Sequence, residues 1–345
     1  MEKTRLGRTN LMVTRSSFGA LPIQRISFDE AKKLLLKAYD NGINFFDTAR
    51  AYTDSEEKIG YALSSVRKDI IIATKSTAQD KKTLLQQLET SLKNMKTDYV
   101  DILQLHNPAN LPDPNDTESL YAGLLEAKKK GMIRFLGITN HKIKTALNAV
   151  ASGLYDTMQF PLSSISADID LELIRECREK DVGLIAMKAL SGGLITNAAS
   201  TFAFLRQFDN VVPIWGIQRE AELDEFLALE KNPPVLDETI WTIINKDREE
   251  LAGNFCRGCG YCLPCPVGIE IPTQARISLL LRRAPYEPYL EDDFKEKMGR
   301  INDCVECEHC INNCPYKLDT PNLLKRELEN YNEFYELNKL RKGFL

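Results

Sequence analysis

Residues 99–138 contain, in order, the apolar run YVDILQL (99–105), the helical stretch ESLYAGLLEAKKKG (118–131) and the apolar run IRFLGI (133–138). The two apolar runs have the length and composition of buried strands, and the middle stretch has apolar residues at helical spacing. Gly131 stands where the helix would end, because glycine adopts the backbone conformation of a helix C-terminus at little cost. This stretch therefore predicts the βαβ unit of a parallel sheet.

The same alternation of short apolar runs and amphipathic stretches extends from residue 27 to about residue 230. The strand candidates are SSFGAL (16–21), INFF (43–46), DIIIAT (69–74), YVDILQL (99–105), IRFLGI (133–138), DTMQF (156–160), VGLIAM (182–187) and VVPIW (211–215). Eight strands with helices between them predict a (β/α)₈ barrel of the TIM type. A doubly wound open sheet is the alternative, but no strand is followed by the G-x-G-x-x-G turn that dinucleotide-binding sheets of that kind usually carry.

The bulk properties limit the class of partner. The 345 residues carry a formal net charge of −4, which gives no general attraction to nucleic acid or to anionic lipid. No apolar run approaches the length of a membrane span, and the N-terminal stretch MEKTRLGRTNLMVTRSS has no apolar signal-peptide core. We therefore expect a cytoplasmic protein that acts on small molecules or other proteins.

Polar residues follow three of the predicted strands. Asp47 follows INFF, Lys75 ends DIIIATK, His106 ends DILQLH, and Tyr52 lies five residues after Asp47. Each residue alone also fits a structural role, such as a helix cap or a packed aromatic ring. In a barrel, however, the C-terminal ends of the strands meet at one face, where the reacting groups of such enzymes lie.

This combination suits proton delivery to a carbonyl group. A phenol is a weak acid at neutral pH, and a neighbouring ammonium such as Lys75 favours the phenolate. Asp47 would pair with Lys75, and a neutral His106 could hydrogen-bond the substrate oxygen. No side chain donates hydride, so a nicotinamide or a comparable cofactor is required.

The segments NFFDTARAY, IIATKS, ILQLHNP and GITN resemble the strand-end motifs of the aldo-keto reductase family over residues 4 to about 230. The resemblance assigns the family's catalytic tetrad to Asp47, Tyr52, Lys75 and His106. It implies hydride transfer between NAD(P)(H) and a small aldehyde, ketone or alcohol, with NAD and NADP both open. The cofactor-binding positions it implies are Thr139, Asn140, Gln159, Lys188, Ser191, Gly192, Gly193, Gly216, Gln218 and Arg219.

Eight of the nine cysteines form two clusters near the C-terminus, whereas Cys177 lies alone in a helical stretch. The first cluster is Cys256, Cys259, Cys262 and Cys265, and the second is Cys304, Cys307, Cys310 and Cys314. The second has the spacing of bacterial ferredoxins, in which the fourth cysteine, followed by proline, ligates the other cluster. Two [4Fe–4S] clusters are therefore expected. In the ferredoxin arrangement one would be ligated by Cys256, Cys259, Cys262 and Cys314, and the other by Cys265, Cys304, Cys307 and Cys310. The first motif has one residue fewer before its last cysteine, so which cysteine completes which cluster stays open. Zinc is the alternative, because Cys-x₂-Cys pairs also form tetrahedral zinc sites.

The sequence predicts two domains, a barrel over 1–235 and a linker with a mostly α-helical, ferredoxin-like domain over 236–345. The motif resembles aldo-keto reductases with a fused ferredoxin domain. In one interpretation the clusters pass electrons between the barrel and a ferredoxin or flavoprotein. Structural or sensing clusters are a second interpretation. A third is an electron-transfer or redox-sensing protein that uses the barrel as a nucleotide-binding scaffold, although the intact tetrad favours an enzyme.

Overall fold

The computed structural model describes residues 1–251, 255–283 and 286–338. Contacts between Cα atoms divide the chain into two units. The first is Met1–Ala189 with Asn197–Ile244, and the second is Leu190–Thr196 with Asn245–Leu345. The boundary drawn from the sequence between residues 235 and 236 stays a prediction. Residues 252–254, 284–285 and 339–345 of the predicted second domain lie outside the described residues.

The first unit is built on a closed parallel barrel in the order β10-β3-β4-β5-β6-β7-β8-β9. The barrel confirms the fold class predicted from the sequence, and each strand candidate contains one barrel strand or overlaps it. The strands are β3 (Ser17–Gly19), β4 (Phe45–Asp47), β5 (Ile71–Ser76), β6 (Val100–His106), β7 (Ile133–Thr139), β8 (Thr157–Pro161), β9 (Gly183–Met187) and β10 (Val211–Gly216).

Helices follow the barrel strands. They are α1 (Phe28–Asp40), α2 (Ser55–Leu63), α3 (Lys81–Met95), α4 (Leu120–Lys129), α5 (Ile143–Ser152), α6 (Asp168–Glu179), α7 (Ala198–Arg206) and α8 (Glu220–Lys231). Local sequence fixes several of their ends. The Ser27 side chain accepts the backbone N–H of Glu30, and the Glu30 carboxylate accepts the N–H of Ser27, so α1 begins with a capping box. Gly131, just beyond α4, has φ +72°, the conformation that glycine adopts most readily.

An antiparallel pair, β1 (Lys3–Arg5) and β2 (Met12–Thr14), precedes the barrel and was not predicted. Leu6, Leu11 and Val13 from this segment pack in one buried cluster with barrel residues such as Phe45 and Ile185. The pair therefore supplies apolar side chains to the core of the first unit.

The second unit is mostly helical. Helix α9 (Glu238–Glu250) contains the division between the units, and it is followed by α10 (Ile271–Gln274), α11 (Ile277–Arg283), α12 (Asp292–Gly299), α13 (His309–Asn313) and α14 (Thr320–Asn338). Short 3₁₀ helices occur at Gly7–Thr9, Pro22–Arg25, Ser64–Asp69, Glu287–Leu290 and Arg300–Asp303. The core of this unit combines aliphatic side chains with four buried cysteines. Within the described ranges, no helix has both the length and the apolar character needed to cross a membrane.

Candidate active site and cysteine cavities

The four residues of the predicted tetrad lie together at one end of the barrel. Asp47 is the last residue of β4, Lys75 lies near the end of β5, and His106 is the last residue of β6. The parallel register pairs Asp47 with Ala73 and Lys75 with Gln104, so these strand ends lie next to one another. Tyr52 lies in the loop between β4 and α2.

Asp47 and Lys75 form a buried ion pair. The Lys75 Nζ lies 2.6 Å from Asp47 Oδ2 and also donates to the carbonyl of Thr48 at 2.7 Å. The two side chains are 3% and 1% exposed. Two charges so far from water are tolerated only when they are paired and hydrogen-bonded, and here both conditions are met.

The barrel interior changes the acidity of three groups. Burial raises the pKa of Asp47 and lowers the pKa of Lys75, and the attraction between the two charges opposes both shifts. Burial, followed by repulsion from Lys75, lowers the pKa of His106 to about 3. The imidazole is therefore neutral near pH 7, as expected from the sequence.

Tyr52 lies between the ion pair and His106. The Lys75 Nζ is 5.4 Å from the centroid of the Tyr52 ring, and the Tyr52 and His106 rings meet edge to face with centroids 5.9 Å apart. Among the described residues, none hydrogen-bonds His106 Nδ1. The arrangement brings a phenol, an ammonium and a neutral imidazole to one place. Such groups can exchange a proton with the oxygen atom of a bound molecule.

Gln104 belongs to this site, although the sequence analysis did not select it. Its Nε2 donates to Asp47 Oδ1 at 3.1 Å, and its side chain is fully buried. Residues two apart on a strand face the same side, so Gln104 faces the same way as His106. An amide in an otherwise apolar strand, on the face of a candidate catalytic residue, was the signal that could have found it.

Glu56 is a second residue that sequence reasoning missed. Its carboxylate is 1% exposed, accepts the Thr74 hydroxyl at 2.7 Å and pairs with Arg50. Its negative charge, after that of Asp47, also opposes the lowering of the Lys75 pKa by burial. Its position in the exposed-looking stretch SEEK gave no signal for this role.

Three of the predicted cofactor residues follow the tetrad around the barrel. His106 pairs with Thr139 across β6 and β7, and Thr139 pairs with Gln159 across β7 and β8. Thr139 Oγ1 accepts the backbone N–H of Asn107 at 3.0 Å, and Asn140 Nδ2 donates to the carbonyl of Pro108 at 3.1 Å. Gln159 hydrogen-bonds Asp47, while its Oε1 is buried with no hydrogen-bond partner in the described part of the chain. That oxygen is suited to a donor such as the N–H₂ of a carboxamide.

The other predicted cofactor residues fall in two groups. Lys188, which follows β9, and Gly216, Gln218 and Arg219, which end or follow β10, belong to the first unit. Ser191, Gly192 and Gly193 belong to the second unit, and all three have positive φ, at +50°, +69° and +91°. The N–H of Gly193 donates to the carbonyl of Leu190 at 2.9 Å, and the two glycines leave space for a ligand to approach the backbone closely.

Arg219 has a carboxylate partner. Its Nη2 lies 2.7 Å from Glu222 Oε1 on a largely exposed surface. The other oxygen of Glu222 accepts the backbone N–H groups of Gln218 at 2.8 Å and Arg219 at 3.0 Å. The Glu222 carboxylate is therefore an anion that already binds the backbone N–H groups at the start of α8.

The eight clustered cysteines line two cavities in the second unit. Cavity I is lined by Cys256, Cys259, Cys262, Cys310 and Cys314. Cavity II is lined by Cys262, Cys265, Cys304, Cys307 and Cys310, so Cys262 and Cys310 line both. Within the described ranges, no group of three His, Cys, Asp or Glu side chains was found that could hold a single metal ion.

Burial makes two thiols of the first cysteine cluster weaker acids. Burial raises the pKa of Cys262 to about 12, so positively charged iron would be needed to hold it as the thiolate ligand. Burial also raises the pKa of Cys256, and the N–H of Gly258 and the charge of Arg276 oppose that rise. Cys177 lies apart from both cavities, in α6, where burial likewise raises its pKa to about 12.

A parallel barrel with an Asp, Tyr, Lys and His set at its strand ends defines an oxidoreductase-type barrel. The model of the aldo/keto reductase family matches residues 16–225, and that of a 4Fe-4S dicluster domain matches residues 255–319. The chain therefore belongs to the aldo/keto reductase family and carries a C-terminal 4Fe-4S dicluster domain. Both features were predicted from the sequence and are confirmed.

The chain is similar in sequence to several curated proteins. L-Galactose dehydrogenase of Arabidopsis thaliana is 31% identical over 216 residues, which cover 57% of this chain and 67% of that protein. The chain spans 60–67% of the length of this protein and two further aldo-keto reductases.

Two solved structures share the fold. The aldo-keto reductase AKR11C1 from Bacillus halodurans, in its holo form, is 21% identical with a TM-score of 0.62, and the match covers 72% of this chain and 96% of that one. An aldo-keto reductase from Klebsiella pneumoniae in complex with NADPH is 18% identical with a TM-score of 0.62, and covers 71% and 94%.

Proposed function

We propose that the barrel transfers hydride between NAD(P)(H) and a small aldehyde, ketone or alcohol, and that the second unit holds two [4Fe–4S] clusters that exchange electrons with a partner protein. The observation that carries the first part is the position of Lys75, which is bound to Asp47 and lies 5.4 Å from the Tyr52 ring. This geometry supports Tyr52 as a group that can both donate and accept a proton during the reaction.

Tyr52 acts as the general acid in reduction and the general base in oxidation. Lys75 favours the phenolate through its charge, and Asp47 keeps Lys75 charged and in place. Neutral His106 donates a hydrogen bond to the substrate oxygen as negative charge develops there. A nicotinamide held by Thr139, Asn140 and Gln159 would supply or accept the hydride.

The residues proposed to hold the cofactor come from both units. Gln159, Asn140 and Thr139 hold the carboxamide, and the buried Gln159 Oε1 is the acceptor that supports this assignment. Lys188 and the loop of Ser191, Gly192 and Gly193 would bind the pyrophosphate, because the two glycines, both with positive φ, allow a close approach of the backbone to a ligand. Gly216, Gln218 and Arg219 lie at the adenosine end.

The experiment that tests the proton donor is Tyr52→Phe in the full-length protein. Loss of a general acid lowers the rate by about 10²–10⁴-fold, so we expect kcat for NAD(P)H-dependent reduction of 4-nitrobenzaldehyde to fall by that amount. Tyr61→Phe is the matched control, because it removes the same hydroxyl from an exposed ring. Full turnover by Tyr52→Phe would contradict the mechanism.

The clusters are tested by composition. Protein purified without oxygen should contain near eight irons and eight acid-labile sulfides per chain, with the visible absorption of [4Fe–4S] centres. Two clusters that each carry one electron have the capacity for the electron pair of one hydride. Zinc without sulfide would overturn this part of the proposal and leave the barrel chemistry intact.

A further inference from the structure

Arg276 connects two functional segments of the second unit. It lies immediately before helix α11, and its Nη1 donates to the carbonyl of Gly192 at 2.9 Å. Gly192 is the central residue of the Ser191–Gly193 loop, to which the proposed function assigns the cofactor pyrophosphate. One hydrogen bond therefore joins Arg276 to a candidate anion site.

The same guanidinium packs against the loop that carries the first cysteines. A Cβ placed on Gly258 would lie 2.9 Å from Arg276 Cζ and 3.0 Å from its Nη1, so only a glycine allows the two to approach this closely. The N–H of Gly258 in turn donates to Cys256 Sγ at 3.4 Å. Arg276 thus places a permanent positive charge beside the ligands of cavity I.

The backbone on both sides is shaped for this contact. Gly192 and Gly258 have φ of +69° and +61°, values that residues other than glycine rarely adopt. A Cβ on Gly192 would lie 3.0 Å from Arg276 Nη1. Two glycines from distant parts of the sequence therefore enclose one guanidinium, which is an arrangement that a surface arginine does not need.

We propose that Arg276 is a positioning residue that couples the redox state of the cluster in cavity I to nucleotide binding at the Ser191–Gly193 loop. The inference rests on the proposed function. One-electron reduction by a ferredoxin-type donor adds one negative charge to the cluster, and a bound pyrophosphate adds negative charge at the loop. The two anions compete for one guanidinium, so each weakens the binding of the other.

The coupling has the same size whether nucleotide binding or reduction of the cluster is measured. Because coupling between two sites is reciprocal, nucleotide binding shifts the reduction equilibrium by the factor by which reduction weakens nucleotide binding. We expect a factor of about ten, which corresponds to about 59 mV for a one-electron couple. The potential falls when nucleotide binds.

The experiment is an EPR-monitored redox titration of the full-length holoprotein with and without ADP-ribose, which carries the pyrophosphate but accepts no hydride. The wave of cavity I is the one that Cys259→Ser removes. In the wild-type protein ADP-ribose should lower its midpoint potential. In Arg276→Met the potential should be low without ligand and insensitive to ADP-ribose, and Arg276→Lys, which keeps the charge, should stay closer to the wild type.

Arg282→Met is the matched control, since Arg282 lies within helix α11 and its Nε donates to the Ser278 carbonyl of the same helix. An equal fall of the potential in Arg276→Lys and Arg276→Met, or no effect of ADP-ribose although calorimetry shows that it binds, would overturn the coupling alone. Failure of the wild-type protein to bind ADP-ribose would overturn the cofactor assignment and the coupling together. If Arg276→Met assembles no cluster, the wild-type shift and Arg276→Lys still decide the question.

Discussion

The Asp47 carboxylate is the charge that keeps Lys75 protonated in the barrel interior. Burial lowers the pKa of Lys75, and attraction to Asp47 is the first of the causes that raise it again. We expect the loss of Asp47 to lower the Lys75 pKa further, which favours the neutral amine beside Tyr52. A neutral amine no longer favours the Tyr52 phenolate, and the base needed for alcohol oxidation forms only at higher pH.

We therefore expect Asp47→Asn to move the acid limb of NAD(P)⁺-dependent alcohol oxidation to higher pH by about 1 unit or more. The measurement is kcat against pH. Loss of one partner of a buried ion pair costs roughly 3–5 kcal/mol, so circular dichroism must accompany the kinetics. Asp181→Asn, which breaks an exposed pair with Arg5, is the control. An unchanged limb in a folded Asp47→Asn protein would contradict the role given to Asp47.

The sequence predicted the tetrad because its members directly follow or end strands, where position along the chain determines position in the barrel. Gln104 and Glu56 escaped this reasoning because their importance comes from contacts. Gln104 matters through its hydrogen bond to Asp47, and Glu56 through its burial next to Thr74 and Arg50. Neither contact is encoded in the spacing of the chain.

At the scale of elements, the first turn of helix α8 bears on the choice between NAD and NADP. The Glu222 carboxylate already accepts the N–H groups of Gln218 and Arg219 and pairs with the Arg219 side chain. A negative carboxylate at this helix N-terminus repels the 2′-phosphate of NADP and occupies its donors. We therefore expect Glu222 to favour NAD over NADP at the proposed adenosine end.

Glu222→Gln should therefore strengthen NADP⁺ binding several-fold and leave NAD⁺ binding nearly unchanged, because helix-end charges are worth about 0.3–1 kcal/mol each. Dissociation constants from protein fluorescence would check this. Glu220→Gln removes the same charge from the same turn, but Glu220 pairs with Lys37 and not with Arg219. Equal effects of the two variants would show that only overall charge matters.

The two cavities favour crossed ligation of the clusters. Cys314 lines cavity I with the first three cysteines, and Cys265 lines cavity II with Cys304 and Cys307. Double variants distinguish crossed from uncrossed ligation. If ligation is crossed, Cys256→Ser with Cys314→Ser damages one cluster and leaves about four irons per chain, whereas Cys256→Ser with Cys265→Ser damages both.

Iron and sulfide analysis after purification without oxygen is the measurement for these double variants. Uncrossed ligation gives the opposite result, because Cys256 and Cys265 would then share a cluster. Cys177→Ala provides the control, since Cys177 lines neither cavity.

The barrel strands were predictable because each is a continuous apolar run between amphipathic helices. The β1–β2 pair was not, since each strand is only three residues long and the first, KTR, has no apolar residue. Such short strands are defined by their pairing and by the core that Leu6 and Val13 join, which are long-range features.

At the scale of the whole molecule, the division of the chain does not follow its composition. The loop Leu190–Thr196 belongs by its contacts to the second unit, although it lies between β9 and α7 of the first. The domain boundary near residue 235 was predicted from the composition of the linker and stays a prediction, whereas the assignment of Leu190–Thr196 rests on contacts, which composition does not report. A fold assembled from distant segments in this way can be recognised only in three dimensions.

The two proposed chemistries should be separable in the intact protein. Cys307 lines cavity II and is exposed, so its loss should affect a cluster near the surface and leave the barrel residues untouched. We expect Cys307→Ser to retain NAD(P)H-dependent reduction of a small aldehyde, since Tyr52, Lys75 and the cofactor residues need no cluster for hydride transfer. Activity driven by a chemically reduced ferredoxin should be abolished, because one-electron transfer requires the intact cluster. The two assays, run on the same preparation with Cys177→Ala alongside, check this directly. Equal loss of both activities would indicate that the clusters stabilise the enzyme and do not conduct electrons, and undiminished ferredoxin-driven turnover would place electron entry elsewhere.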